Sequence, residues 1–487
     1  MELKFHQTDI SCLHRVLEQI KDVELTQEIK LPEGMPDIGS VISAWGQVLI
    51  RGKEWREDKV GASGGVQAWV LYAPEDGTDP RMLEVWMPFQ TQWDIPENIP
   101  EGKLCLIPKL RLVDARSVAS RRLMVRSAVS LRVSAWNDEQ VAVYTPGEVP
   151  EDVRLKIHTY QANLPCEVGE KGFVMDEELY MASSKPEKLL RYSLQPQITE
   201  AKVMAGRLVF RGNALLQLLY RTEEGIESTT MDIPFAQYVD LEREYAPEAT
   251  VWMFPAVTSL DVDLGEENKL RLKAGLIAQY IICEEKQLST VEDAYSTQRE
   301  LKLQLQTMVL PDLQEEPETQ WDAQCNWTEE GRVVDSVFYP DHPREIINVD
   351  SVENQLTGRF HILYYDADNN LRGNVCKWES QQTVNKQENT SMSVFAEPII
   401  KDDMTAQLRL KAMAAKEQPV EYVCGLNLGD VVAKNPDRPS IILRRAGKES
   451  LWQLAKRTGS TVEAIQQANM LEDGQPSPNR ILLIPVS

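Results

Sequence analysis

The residue types best suited to metal or nucleophilic chemistry are His6, His14, His158, His342 and His361, with Cys12, Cys105, Cys166, Cys283, Cys325, Cys376 and Cys424. Zinc sites hold such ligands at short, regular intervals, and a thiol nucleophile needs a nearby base. Here the cysteines are scattered, odd in number and free of any Cys-x-x-Cys, and the histidines never cluster. Neither a metal site nor a disulfide framework is expected, and a reducing compartment is the simplest setting. His361 lies within "RFHILYY", a strand pattern, where a packed histidine is expected instead of a catalytic one. Carboxylate pairs in "EEGIES", "EREYAPE" and "LQEEPE" read as solvated faces. The glycine-rich "GASGGVQ" (61–67) lacks the Lys-Ser/Thr of a phosphate-binding loop and leads into a strand, so it reads as a turn. No Gly-x-Ser-x-Gly or His-Glu-x-x-His occurs. The expectation is a protein that is not an enzyme, with no catalytic residues, metal or cofactor.

The elements around these residues repeat. Three apolar runs end in Leu-Tyr or Tyr-Tyr followed by a polar turn: "GGVQAWVLYAPEDG" (64–77), "GNALLQLLYRTEEG" (212–225) and "TGRFHILYYDADNN" (357–370). Their tyrosines, Tyr72, Tyr220 and Tyr364, are 148 and 144 residues apart. "MPF" (87–89) matches "IPF" (233–235), with "KWE" (377–379) as a weaker third copy. Pro36 and Pro186 align in "QEIKLPEGMPDIGSVIS" and "EELYMASSKPEKLLRYS". Later come "RLMVRSAVSLRVSAW", "KLRLKAGLIAQYIIC" and "QLRLKAMAAKEQPVEYVC". In the second of these Leu270, Leu272, Ala274, Leu276, Ala278, Tyr280 and Ile282 share one parity, the signature of a strand with one buried side. Such alternation suits antiparallel sheets with one packed and one solvated face.

The fold class expected is therefore mainly β. Three tandem antiparallel sandwich- or barrel-like domains occupy 1–150, 151–305 and 306–432, and a small βααβ module occupies 440–487. A helix is expected over 9–21, where Ile10, Leu13, Val16, Leu17 and Ile20 keep helical spacing. The Pro-bearing stretches 144–152, 311–319 and 433–439 read as linkers, and the proline in "AAKEQPVEY" as an edge or a break. Pro32, Pro36 and Asp37 shape one conspicuous loop, read first as a structural turn and second as a docking strip.

Charge narrows the partners. The formal net charge is −23, which argues against nucleic acid and anionic membranes, both of which attract basic surfaces. No apolar run reaches a membrane span and the N-terminal residues lack a signal-peptide pattern, so a cytosolic protein is expected.

Residues 440–487 differ in kind. Six basic and four acidic residues give them a charge of +2, leaving −25 for the remainder. "SLWQLAKRTGSTVEAIQQANML" and the closing "LLIP" resemble a LysM domain. Most members of that family bind N-acetylglucosamine polymers between two loops. Here the first loop reads Gly447-Lys448-Glu449-Ser450 where the family has Gly-Asp-Thr/Ser, and the second, "EDGQPSPNR", departs from the usual Pro-Gly-Gln ending. Both departures fall on the sugar groove. The body, through "QEIKLPEGMPDIGSVIS" and the "LLY" strands, resembles SPOCS (DUF3794) domains. SPOCS repeats followed by LysM resemble the SipL-like family of spore-coat morphogenetic proteins.

That resemblance implies a non-enzymatic scaffold in the mother-cell cytosol, at the forespore surface. Its LysM domain would grip SpoIVA, the ATPase of the coat basement layer, and its β domains would offer self-association or further docking. The residues it singles out for partner binding are Ile442, Gly447, Lys448, Ser450, Trp452 and Asn469, with Trp452 as the anchor. The second reading is a peptidoglycan-binding protein of the cell wall or spore cortex. A third, a carbohydrate-active enzyme, lacks a catalytic pair.

Overall fold

Each Leu-Tyr or Tyr-Tyr run forms the middle strand of a three-stranded antiparallel sheet. A computed structural model of the chain describes residues 2–3, 5–96, 98–181, 186–266, 268–347, 351–385, 390–402, 405–432, 439–471 and 480–486. After a short strand β1 (Glu2–Leu3), the first repeat comprises β2 (Phe5–Lys30), β3 (Ile38–Arg56), β4 (Lys59–Pro74), β5 (Arg81–Asp94), β6 (Lys103–Ala119) and β7 (Arg122–Pro146). They form two sheets, β3-β4-β5 and β2-β7-β6. The second repeat, β8 (Val153–Tyr180), β9 (Lys188–Met204), β10 (Arg207–Thr222), β11 (Gly225–Asp240), β12 (Thr250–Leu264) and β13 (Lys269–Ser296), has the same order, β9-β10-β11 and β8-β13-β12.

The third repeat comprises β14 (Arg299–Gln324), β15 (Arg332–Pro340), β16 (Arg344–Ile347), β17 (Ser351–Tyr365), β18 (Leu371–Asn385), β19 (Thr390–Asp402) and β20 (Thr405–Val431). β17 is flanked by β18 and by an edge strand split into β15 and β16 between Pro340 and Arg344; β20 lies between β14 and β19. Strand register aligns the copies. Met87 pairs with Val66, Ile233 with Ala214 and Trp378 with Gly358, each six residues before its tyrosine. The residue in the place of Met87 and Ile233 is thus Trp378, the second of "KWE", so that weak match is offset by one residue.

Four expectations are corrected. Residues 61–67, read as a turn, lie inside β4 and pair with β3 on one side and β5 on the other. Residues 9–21 belong to strand β2, paired along its length with β7. A bulge between Arg15 and Leu17 adds one residue, Val16, and switches the buried parity: Leu13 packs with Trp136 and Leu17 with Ala135 on the other face, and the two faces read together imitate helical spacing. Residues 311–319 lie inside β14, where a register shift between Glu316 and Thr319 absorbs Pro317; the turn between β13 and β14 is Thr297–Gln298. β20 runs unbroken through Pro419, which sits between the stretches paired to β19 and to β1. Of the third linker, 433–438 falls outside the described residues.

The central strands also exceed the one-sided burial read from alternation. Val66, Ala68, Val70 and Tyr72 are buried, and so are Trp69 and Leu71 on the opposite face. The second face is covered by a neighbouring repeat: Trp69 packs edge-on against Tyr192 at 5.1 Å between ring centroids.

Cyclic contacts join the repeats around a common axis. Gln47 on β3 accepts the Leu194 N–H of the second repeat, and Gln195 and Gln197 on β9 donate to the Pro398 carbonyl on β19. Tyr339 on β15 bonds Gly46, and His342 bonds the Ile107 carbonyl on β6. Arg191 and Asp335 form a buried ion pair at 3.1 Å between the second and third repeats, with the guanidinium 5.5 Å over the Trp45 ring of the first.

Candidate functional site

The C-terminal module folds for reasons visible in its own residues. It comprises β21 (Ile441–Arg445), α1 (Leu451–Thr458), α2 (Val462–Asn469) and β22 (Ile481–Pro485). Ser450 Oγ accepts the Gln453 N–H at 3.2 Å while Gln453 Oε1 accepts the Ser450 N–H at 3.0 Å, a capping box that satisfies two donors at the start of α1. Gly459 closes α1 at φ 66°, the left-handed region that glycine enters most easily. Thr461 caps α2. Leu451, Leu454, Ala455, Ile465, Leu482 and Ile484 make the core, with Ile442 half-buried against it.

Several residues singled out from the sequence serve this fold. Asn469 is buried and fully engaged: its Nδ2 donates to the Ile465 and Leu483 carbonyls at 2.7 and 2.6 Å, and its Oδ1 accepts the Leu483 N–H at 2.7 Å. It ties α2 to β22 and does not reach the surface. Ile442 faces inward opposite Ile484, and Ser450 is the helix cap. Gly447 and Lys448 are exposed at the loop. Glu449 beside them is held by Arg457 at 2.7 and 2.8 Å, so both its oxygens already accept. Residues 472–479 of the second loop lie outside the described residues.

Trp452 faces the body. Its Nε1–H donates to Asp293 Oδ2 at 2.8 Å, Lys456 Nζ reaches Asp293 Oδ1 at 2.6 Å, and its ring packs edge-on against Tyr295 at 4.8 Å. Tyr295 is buried in the module's own core cluster and donates to the Ser460 carbonyl at 2.9 Å. Burial pushes the Asp293 carboxyl up, but the hydrogen bonds from Lys456 and Trp452 outweigh it and hold the group below the usual carboxylate range. The expected anchor is thus engaged within the chain, at a latch between α1 and the end of β13.

The opposite face of the module is open. Alternation along the two strands sends Ile442, Leu482 and Ile484 inward and Ile441, Leu443, Ile481 and Leu483 outward, at 57, 68, 62 and 41 % exposure. Leu443 pairs with Leu483 and Arg445 with Ile481, so the four aliphatic side chains form one patch with Arg445 at its end. The alternation of "IILRR" and "RILLIP" carried this signal in the sequence. Nothing in the sequence around Asp293 and Tyr295 announced the latch.

The loop of Pro32, Pro36 and Asp37 is clamped in place. Arg121 donates to Asp37 Oδ1 at 2.7 Å and to the Met35 and Pro32 carbonyls at 3.0 Å, and Tyr72 donates to the Pro36 carbonyl at 3.0 Å. His361 is buried, bonded through Nδ1 to the Ala44 carbonyl at 2.9 Å, and lowered by burial to about 4. It is a neutral packing residue. Among the described residues no group of three His, Cys, Asp or Glu could hold a metal ion, and no helix is long and apolar enough to cross a membrane.

Comparison with known proteins agrees with the two kinds of module. Residues 185–264, within the second repeat, match the model of the SipL SPOCS domain, and residues 448–485 match that of the LysM domain. No curated protein and no solved structure matches the chain. Both matches are to the expected domain families, in the expected order, and the first and third repeats share the strand order of the matched one.

Proposed function

We propose that the chain is a non-catalytic scaffold of spore-coat assembly, acting in the mother-cell cytosol at the forespore surface. Its three repeats form a platform that displays the LysM module, and the module grips a SpoIVA-type ATPase. The observation that carries this reading is the outward patch of Ile441, Leu443, Ile481 and Leu483. Solvent-exposed aliphatic side chains gathered on one small face are surface that a protein partner covers. A sugar polymer is gripped chiefly by polar groups and aromatic faces, whereas Glu449 in the first loop is spent on Arg457 and Trp452 is turned to the body.

A second reading, peptidoglycan binding, is favoured by the LysM match itself. A pull-down of the full chain against a SpoIVA-type protein and against purified peptidoglycan separates the two. Retention by the ATPase alone is the expected outcome. Retention by peptidoglycan without ATPase binding overturns the scaffold reading.

A further inference from the structure

A cavity of about 230 Å³ lies where the three repeats meet. Its walls come from β3 and β6 of the first repeat, β9 and β12 of the second, and β15 and β19 of the third. In the first two repeats these are the outer strands of their sheets, and such edges carry free backbone groups that tend to pair with one another. Pro108, Pro196, Pro255, Pro340 and Pro398 all stand in the wall. A proline has no N–H to offer, so the edges cannot zip together and the space stays open.

One ammonium group faces this space. Lys109, on β6, donates to the Ala396 carbonyl across the axis and has no salt-bridge partner among the described residues. The neighbouring carboxylates are committed elsewhere: Asp341 to Arg111 at 2.6 Å and Glu397, itself in the wall, to Lys411 at 3.6 Å. Burial lowers the Lys109 amine to about 8, so its charge is held at a cost that a counter-ion would relieve. His342, also in the wall, is buried, and its Nδ1 has no partner. The rest of the lining mixes apolar side chains, Phe254, Ala256, Phe338 and Phe395 among them, with four glutamines and Glu397.

We propose that this axial cavity binds a small amphipathic carboxylate, with the carboxylate on Lys109 and the hydrocarbon chain against the aromatic and aliphatic wall. Because each repeat supplies wall, the site exists only in the assembled three-repeat body.

The test is calorimetric titration of the full chain with octanoate, octylammonium and octanol at neutral pH. Octanoate is expected to bind saturably at one site, while octylammonium and octanol do not. Lys109→Met, which keeps the length and removes the charge, is expected to weaken octanoate by about tenfold or more. Ala256→Phe, which keeps the charge and adds bulk on the face of β12 shared with Phe254, is expected to abolish binding. Circular dichroism identifies which variants retain the fold, and one folded variant suffices. Absence of saturable octanoate binding, equal binding of all three probes, or unchanged affinity in a folded variant would overturn the site.

Discussion

The body and the tail are held by different means. The body is stitched by long paired strands and by buried polar contacts that cross every repeat boundary, such as Arg191 with Asp335, His361 with the Ala44 carbonyl and Gln279 with the Leu106 carbonyl. The tail is a small core whose side-chain hydrogen bonds to the body, among the described residues, gather at one latch, where Trp452, Lys456 and Tyr295 stand at and beside Asp293. A structure with many buried cross-contacts cannot give up one repeat without exposing the others. A module on a single latch can be moved or loaded without disturbing what carries it. The difference suits a rigid platform with a separately addressable grip.

The strongest way to break this contrast is to attack the stitching. Arg191→Ala breaks the buried ion pair with Asp335, and removing one partner of such a pair typically costs about 3–5 kcal/mol. Urea unfolding should show that loss across all three repeats as one transition; a loss confined to the second repeat would mean that they behave as independent beads.

Acid should act on the same seams. The folded pKa of His361 is lowered to about 4 by burial, against an ordinary value near 6.5. The unfolded chain therefore takes up a proton that the folded chain refuses. The stability from a neutral His361 is complete above about pH 6.5 and falls away towards pH 4, by about 3 kcal/mol in all. His342, which burial also drives down, adds to the loss in the same direction. Thermal melts from pH 7 to pH 4 measure the slope, and His361→Gln should flatten it.

At the latch the effect is smaller and local. Asp293→Asn removes the charge that Trp452 and Lys456 share, and should weaken docking by about 1–2 kcal/mol. Hydrogen exchange should rise on the Trp452 face of α1 while β4 and β10 keep their protection. Low pH should do the same. Asp293 is held below the usual carboxylate range, so docking is complete above that range and lost as pH falls through the lowered value. The smallest change is within the tail: Ser450→Ala removes the helix cap and should cost the module about 1 kcal/mol, with no effect on the body's melt.

How much was legible in the sequence follows from range. The Leu-Tyr strands, the "IPF" landmark and the βααβ tail are local patterns, and the chain carries them openly. The helix expected at 9–21 failed because β2 buries residues on both faces and changes parity at the Val16 bulge, so the two sets interleave into a helix-like spacing. The linker expected at 311–319 failed because Pro311 and Pro317 sit inside a long strand that a register shift accommodates. Burial of both faces of β4 was invisible because the second cover comes from another repeat. Trp452 was marked as significant by its place in α1, but its partner lies 159 residues away at Asp293, and no local pattern names it. The aliphatic patch, by contrast, was readable from the alternation of β21 and β22 alone.

The tail is proposed to grip a protein with its outward sheet face, while its Trp452 face belongs to the body. The most direct measurement compares the affinity of a SpoIVA-type ATPase for the intact chain, for Leu443→Asp and for Trp452→Ala. Leu443 is 68 % exposed, so its replacement should leave the module folded and weaken binding by about tenfold or more. Trp452→Ala should loosen the latch and leave affinity within about twofold. Loss of binding in a folded Trp452→Ala chain, with Leu443→Asp unaffected, would contradict the assignment of the two faces.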